Sequence, residues 1–166
     1  MGIYFAIAMG VVGLVFAYIL SCFVGKAEPG TERMKEISAA IHQGAKAFLF
    51  AEYRVLVVFV VVLFLAIGFG LGNWVTAFCF VCGSAASVLA GYCGMNVATK
   101  ANVRTARAAE QKGMVSALAI AFRGGAVMGM CVVGLGLLGC TLVYYFTGDP
   151  NVLSGFSLGA SPSAAP

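Results

Sequence analysis

Four stretches of this chain are apolar on every face. Ile3–Val24, Val55–Leu71, Trp74–Ala98 and Gly124–Phe146 each reach or approach the roughly 20 residues a helix needs to cross a bilayer. The pattern predicts four membrane-spanning helices. Tyr53 and Arg54 precede the second, Trp74 opens the third, and Tyr144, Tyr145 and Phe146 close the fourth. Amphipathic rings and long cations favour that boundary, because one end of the side chain stays wet. The connections alternate in character. Gly25–Arg54 and Lys100–Arg123 are long and charged. Gly72–Asn73 is a tight turn, and Thr147–Asn151 ("TGDPN") is a short one with Pro150 as a breaker.

Both charged connections read as helix. In "MKEISAAIHQGAKAFLFA" (Met34–Ala51) the apolar residues Ile37, Ile41, Ala45 and Phe48 recur at helical spacing, with polar residues between them. Thr31 is placed to cap this helix with its hydroxyl, and the helix runs without a break into the second span. Glu32, Lys35 and Glu36 form a solvated face. The Ala-rich stretch "TKANVRTARAAEQ" favours helix and stops at Gly113, with Lys112 in the last turn, where the helix dipole favours a cation. About 12 helical residues beyond the membrane add about 18 Å of reach. The predicted architecture is an all-α membrane protein in one domain, 1–166. Its helices run at about 3–24, 34–71, 74–111 and 114–146, and residues 147–166 form an outside turn and the start of a fifth helix.

Charge gives the arrangement a direction. Only 10% of the residues are charged and 61% are hydrophobic, whereas soluble domains carry about a quarter charged residues. The first apolar run has no basic residue before it and is too long for a signal peptide, so it reads as a retained span. All ten Lys and Arg lie in or beside the two long connections: Lys26, Arg33, Lys35, Lys46 and Arg54, then Lys100, Arg104, Arg107, Lys112 and Arg123. The other side keeps only Asp149. By the positive-inside rule the two basic connections are cytoplasmic and the N-terminus is extracytoplasmic. Arg123 is followed by 23 apolar residues and so sits at the cytoplasmic boundary, where its side chain snorkels.

Candidate chemistry is sparse. Cys22, Cys79, Cys82, Cys93, Cys131 and Cys140 lie in or at the ends of apolar runs and read as small packing residues. Cys79-x-x-Cys82 lacks the second half of a zinc site. His42, the only histidine, is expected to face water rather than a metal. The four apolar cores contain no Asp, Glu, Lys or His, the groups that an ion path at depth requires. No phosphate-binding loop, H-E-x-x-H or carboxylate cluster is present. Gly83, Ser87 and Gly91, the adjacent row Ala86, Ala90, Gly94 and Ala98, the G-x-x-x-G of Gly125 and Gly129, and Gly134, Gly136 and Gly139 form small-residue stripes. Such stripes let helices pack closely in lipid, on each other or on further helices.

Longer strings carry a resemblance. "GTERMKEISAAIHQGAKAFLFAEYRVL" (Gly30–Leu56) resembles the first cytoplasmic connection of the membrane-integral inorganic pyrophosphatases. "GSAASVLAGYCGMNVATKANVRTARAA" (Gly83–Ala109) resembles the third helix of that family and the connection after it. "ALAIAFRGGAVMGMCVVGLGLLG" (Ala117–Gly139) and "VLSGFSLGAS" (Val152–Ser161) resemble the fourth helix and the start of the fifth, in the same order and spacing. The resemblance implies the N-terminal, outer-helix portion of a pyrophosphate-energised proton or sodium pump with several times as many helices. Such a pump hydrolyses magnesium pyrophosphate at the cytoplasmic face of a vacuolar, acidic-organelle or plasma membrane. It also implies Mg2+ as the cofactor of the complete protein. The implied partners are the bilayer, the remaining helices of the pump and, when complete, a second copy; no nucleic acid is expected. The family's acidic and lysine catalytic groups lie downstream of this stretch. No residue here is therefore assigned a catalytic, cofactor-binding or metal role, and the isolated chain is expected to be inactive. Pro162 and Pro166 in the tail "SPSAAP" depart from the family's helical continuation and read as a truncation or a shifted frame. The alternative is a stand-alone, non-enzymatic four-helix scaffold. For the basic stretch "ATKANVRTARAAEQKG" two roles stand open: steering an anionic substrate, or setting topology and meeting anionic headgroups.

Overall fold

The computed structural model describes residues 2–161. Pro162 and Pro166 lie outside the described residues. Helix α1 spans Gly2–Lys26, α2 Glu32–Leu65, α3 Trp74–Lys112, α4 Met114–Thr147 and α5 Pro150–Ala160. Among the described residues there is no strand. The first four helices are long and apolar enough to cross a membrane. At about 1.5 Å per residue the 39 residues of α3 extend about 58 Å, nearly twice the hydrocarbon thickness. The charged connections are thus continuations of the spanning helices rather than loops.

Each boundary has a local cause. The Thr31 hydroxyl accepts from the Met34 N–H at 3.4 Å and starts α2. Gly113, at φ +80°, breaks α3 from α4 in a single residue, a backbone state that a side chain would strain. The Asn73 carbonyl oxygen Oδ1 accepts from the Thr76 N–H at 3.2 Å and starts α3. The end of the second span departs from the sequence pattern. In place of an α-helix to Leu71, Ala66–Gly70 widens into a π-helical turn. Gly68 faces the ring of Trp74, where a Cβ would lie 2.7 Å from Cζ3. Phe64 and Phe69 meet that ring edge-on at 5.8 and 5.1 Å. An indole folded under the helix end requires the missing side chain, and the widened turn accommodates it. Pro150 also corrects its reading. It begins α5 at the first helical turn, where a missing N–H costs nothing, and Asp149 caps that turn by accepting from the Asn151 N–H at 2.8 Å.

Successive long helices run antiparallel, and α3 is the spine. It packs on α2, α4, α5 and α1. Its small-residue rows divide the work between neighbours. Gly83 meets the backbone of Phe156 in α5, Gly159 of α5 meets the backbone of Phe80, and Ser87 donates to the Ala160 carbonyl at 2.8 Å. Gly94 of the adjacent row lies against Met128 of α4, and Ala101, outside that row, lies against Gly124. On α4, Gly134 admits Leu14 of α1 and comes within 3.1 Å, measured from an added Cβ, of the Gly10 carbonyl. A Cβ added at Gly125 or Gly129 would meet nothing within 4 Å outside its own helix among the described residues. The G-x-x-x-G pattern is therefore not the α3–α4 contact.

The helix that the spacing of Ile37, Ile41, Ala45 and Phe48 predicts is present, continuous with the second span. Ile37, Ile41 and Phe48 are 51%, 42% and 57% exposed. The side turned to α3 carries Ser38, His42, Ala45 and Leu49 instead. Small and polar groups let α2 come close to the Ala- and Thr-bearing flank of α3.

Two substitutions test this packing. Gly159→Leu should force α5 off α3 and lower stability in detergent by about 1–3 kcal/mol, the usual cost of overpacking. Gly129→Leu should change it by less than about 0.5 kcal/mol. Equal losses in a thermal or denaturant unfolding assay would contradict the assignment.

Candidate functional site

The chemistry-bearing side chains gather at one end of the bundle. The antiparallel order brings together the end of α1, the start of α2, the end of α3 and the start of α4. Every basic residue but Arg54 lies in those halves of the helices, and Arg54 lies just past the middle of α2. Arg54 lies deepest, 16 residues before Gly70, or about 24 Å from the opposite end. Its guanidinium stacks over Phe50, one turn nearer the basic end, at 5.1 Å. This is the direction in which a snorkelling side chain must lean.

Arg104 separates two of the cavities at this end. The first, about 270 Å³, lies between α2 and α3 and is lined by Lys35, Ser38, His42, Thr99 and Lys100 among others. His42 is half-buried there, and its Nδ1 lies 3.2 Å from the Thr99 hydroxyl. That hydroxyl already donates to the Met95 carbonyl at 2.9 Å. The Asn96 carbonyl, at 3.2 Å, is a second acceptor within its reach. The expectation that His42 simply faces water is corrected: helix pairing turns it toward α3, where a polar partner replaces solvent.

The second cavity, about 310 Å³, lies between the end of α1, the last turns of α3 and the first turns of α4. Glu28, Arg104, Arg107, Gln111, Lys112, Ser116 and Arg123 contribute to its wall. Two of its arginines are fully engaged. Arg104 donates from Nε to the Ala27 carbonyl at 3.0 Å, from Nη2 to Gly25 at 3.4 Å and from Nη1 to Lys100 at 2.8 Å. Carbonyls at a helix end have no partner within the helix, so Arg104 caps α1 from α3. Arg107 pairs with Glu110 at 2.8 Å. With the Gln111 amide turned to match donors to acceptors, Gln111 accepts from Arg107 Nε and Nη2 at 3.2 and 2.6 Å and donates to Glu28 at 3.3 Å. Arg123 stacks on Phe23 of α1 at 5.5 Å.

Sequence reading located the cations but missed their partners, Gly25, Ala27, Thr99, Gln111 and Phe23. Backbone carbonyls leave no trace in composition, and contacts between α1 and α3 are far apart along the chain. The pairs Lys35–Glu32 and Arg33–Glu36, at 2.6 and 3.0 Å, lie on the exposed face of α2 as its spacing suggests. Such pairs contribute only about 0.3–0.5 kcal/mol each. Among the described residues no group of three His, Cys, Asp or Glu side chains converges. The six cysteines are unbridged.

The family model for inorganic H+ pyrophosphatase matches residues 11–165. A putative K(+)-stimulated pyrophosphate-energized sodium pump of Clostridium tetani is 51% identical over 163 residues, covering 98% of this chain and 24% of that protein. A K(+)-insensitive pyrophosphate-energized proton pump of Methanosarcina mazei is 43% identical over 153 residues, covering 92% of this chain and 23% of the relative. The chain thus spans about a quarter of the length of these curated relatives.

The Arg104 cap generates a stability prediction. Arg104→Ala should lower stability by about 1–3 kcal/mol, the loss of charge-assisted bonds to carbonyls. Arg104→Lys should restore only part of it, because one ammonium does not reproduce the guanidinium fork. Arg33→Ala, on the exposed face, is the reference. An Arg104→Ala loss no greater than that of Arg33→Ala in detergent unfolding would refute the cap.

Proposed function

This chain belongs to the inorganic H+ pyrophosphatase family, and from that premise we propose that it forms the N-terminal, bracing helices of a pyrophosphate-energised ion pump. The observation that carries the reading is the match itself, which runs along 98% of this chain but only 24% of the Clostridium tetani relative. The geometry supports a bracing role. The hydrogen bonds of the basic end hold helix to helix, with Arg104 joining α3 to α1 and His42 joining α2 to α3.

In the complete pump, pyrophosphate is hydrolysed at the face bearing the basic end, which is the cytoplasmic one, and the N-terminus of α1 is extracytoplasmic. Magnesium is the metal that such a pump uses to stabilise charge on phosphoryl oxygens. The described residues here do not fit a metal site, because no three ligating side chains converge. Its ligands belong to the remaining three quarters of the protein. Ion coupling belongs there too, since the apolar cores of α1–α4 contain no Asp, Glu, Lys or His. The complete pump works as a pair of identical chains.

A chimera tests the reading. This chain replaces the corresponding first quarter of the Clostridium tetani relative, and pyrophosphate hydrolysis is measured in membranes with and without a magnesium chelator. Chelator-sensitive activity within about tenfold of the parent is expected, since a bracing substitution shifts the barrier by no more than about 1.4 kcal/mol. A stably inserted chimera without hydrolysis would contradict it. Phosphate release by this 166-residue chain alone, above a heat-killed control, would contradict it as well.

A further inference from the structure

The cavity between α1, α3 and α4 is lined by two cations whose side chains form no hydrogen bond or ion pair among the described residues. Arg104 and Arg107 have every guanidinium nitrogen engaged. Lys112 and Arg123 line the same wall, and neither has a hydrogen bond or an ion pair among the described residues. Arg123 is held only by its stacking on Phe23. Of the carboxylates nearby, Glu110 pairs with Arg107, and Glu28 on the cavity wall accepts from the neutral Gln111 amide. Ser116 lies between the two cations along the chain, in a first turn of α4 that no side chain caps. The N–H groups of such a turn have no partner in the helix. The cavity, about 310 Å³, therefore offers a hydroxyl and two positive charges whose side chains have no hydrogen bond or ion pair among the described residues. Its floor is apolar where Ala119 and Ile120 lead into the membrane span, and Phe122 beside them is 75% exposed.

We propose that this cavity binds a phosphate group at the membrane surface, held by Lys112 and Arg123 and presented by the headgroup of an anionic phospholipid or as a free anion. Two cations on separate helices match the oxygens of a phosphate. The apolar floor continues toward the acyl region, as a lipid ligand requires. The site is independent of pyrophosphate hydrolysis, whose groups lie outside this chain.

Native mass spectrometry of the whole 166-residue chain, released from detergent containing phosphatidylglycerol or phosphatidylcholine, tests the site. Phosphatidylglycerol should remain bound and phosphatidylcholine should not. Lys112→Gln with Arg123→Gln should weaken retention at least about tenfold, as expected for losing charge-assisted bonds. Arg33→Gln with Lys46→Gln removes the same charge elsewhere and should leave retention within about twofold, the scatter of independent surface changes. Lys112→Gln alone, in the exposed last turn of α3, keeps the test valid should the double variant fold poorly, and should weaken retention on its own. Displacement of the lipid by millimolar orthophosphate assigns the site to a free anion, and resistance to it assigns the site to the headgroup. Equal weakening by both double variants, equal retention of the two lipids, or no retention of lipid or orthophosphate would overturn the proposal.

Discussion

An ionised side chain loses its hydration in hydrocarbon, and that cost organises this molecule. Ten cations and six acids are available, and the cations are confined to one end of the bundle. Helices α1 to α4 must then alternate in direction, because each charged connection returns to the end it left. The short turns at Gly72 and Gly148 carry no cation and close the other end. Arg54 shows the constraint at its limit. It lies inside an apolar helix, yet it leans over Phe50 toward the charged end. The length of α2 and α3 has the same origin, since a basic sequence joined to a span without a breaker continues as helix until Gly113 ends it.

Burial of apolar surface does little to hold these helices together in lipid, and close approach takes its place. The α3 spine shows how. One flank, bearing Gly83 and Ser87, admits the α5 backbone. The next, bearing Gly94 and Ala101, admits α4. Polar links then fix the register: Tyr53 donates to the Val88 carbonyl at 3.1 Å, and Arg104 reaches the end of α1. Large apolar side chains such as Tyr4, Val55 and Phe122 remain exposed. They are surfaces for lipid or for further helices, consistent with a chain that corresponds to a quarter of its relatives.

The spans, the Thr31 cap, the stop at Gly113 and the clustering of cations were legible in the sequence, because each depends on local residue type. Choice of face was not. Ile37, Ile41, Ala45 and Phe48 announce a helix by their spacing, and the helix forms. Which side meets α3 depends on the partner, and Ser38, His42, Ala45 and Leu49 lie on that side. The G-x-x-x-G of Gly125 and Gly129 permits close packing without naming a partner, and within the described residues an added Cβ there meets nothing within 4 Å. The π-helical turn at Ala66–Gly70 depends on where Trp74 folds back, and Pro150 reads equally as a breaker or a helix start until Asp149 is seen to cap it. At the basic end the cations were visible, but the carbonyls that occupy Arg104 were not.

The central claim is that sorting of cations to one face sets the topology. Single cysteines placed at Lys46, Lys112 and Asn151 in a chain freed of its six native cysteines, reconstituted in sealed vesicles of known orientation, test it with a membrane-impermeant thiol reagent. The account predicts that Lys46→Cys and Lys112→Cys label from the same side and Asn151→Cys only from the other. Labelling of Lys46→Cys and Lys112→Cys from opposite sides would contradict it.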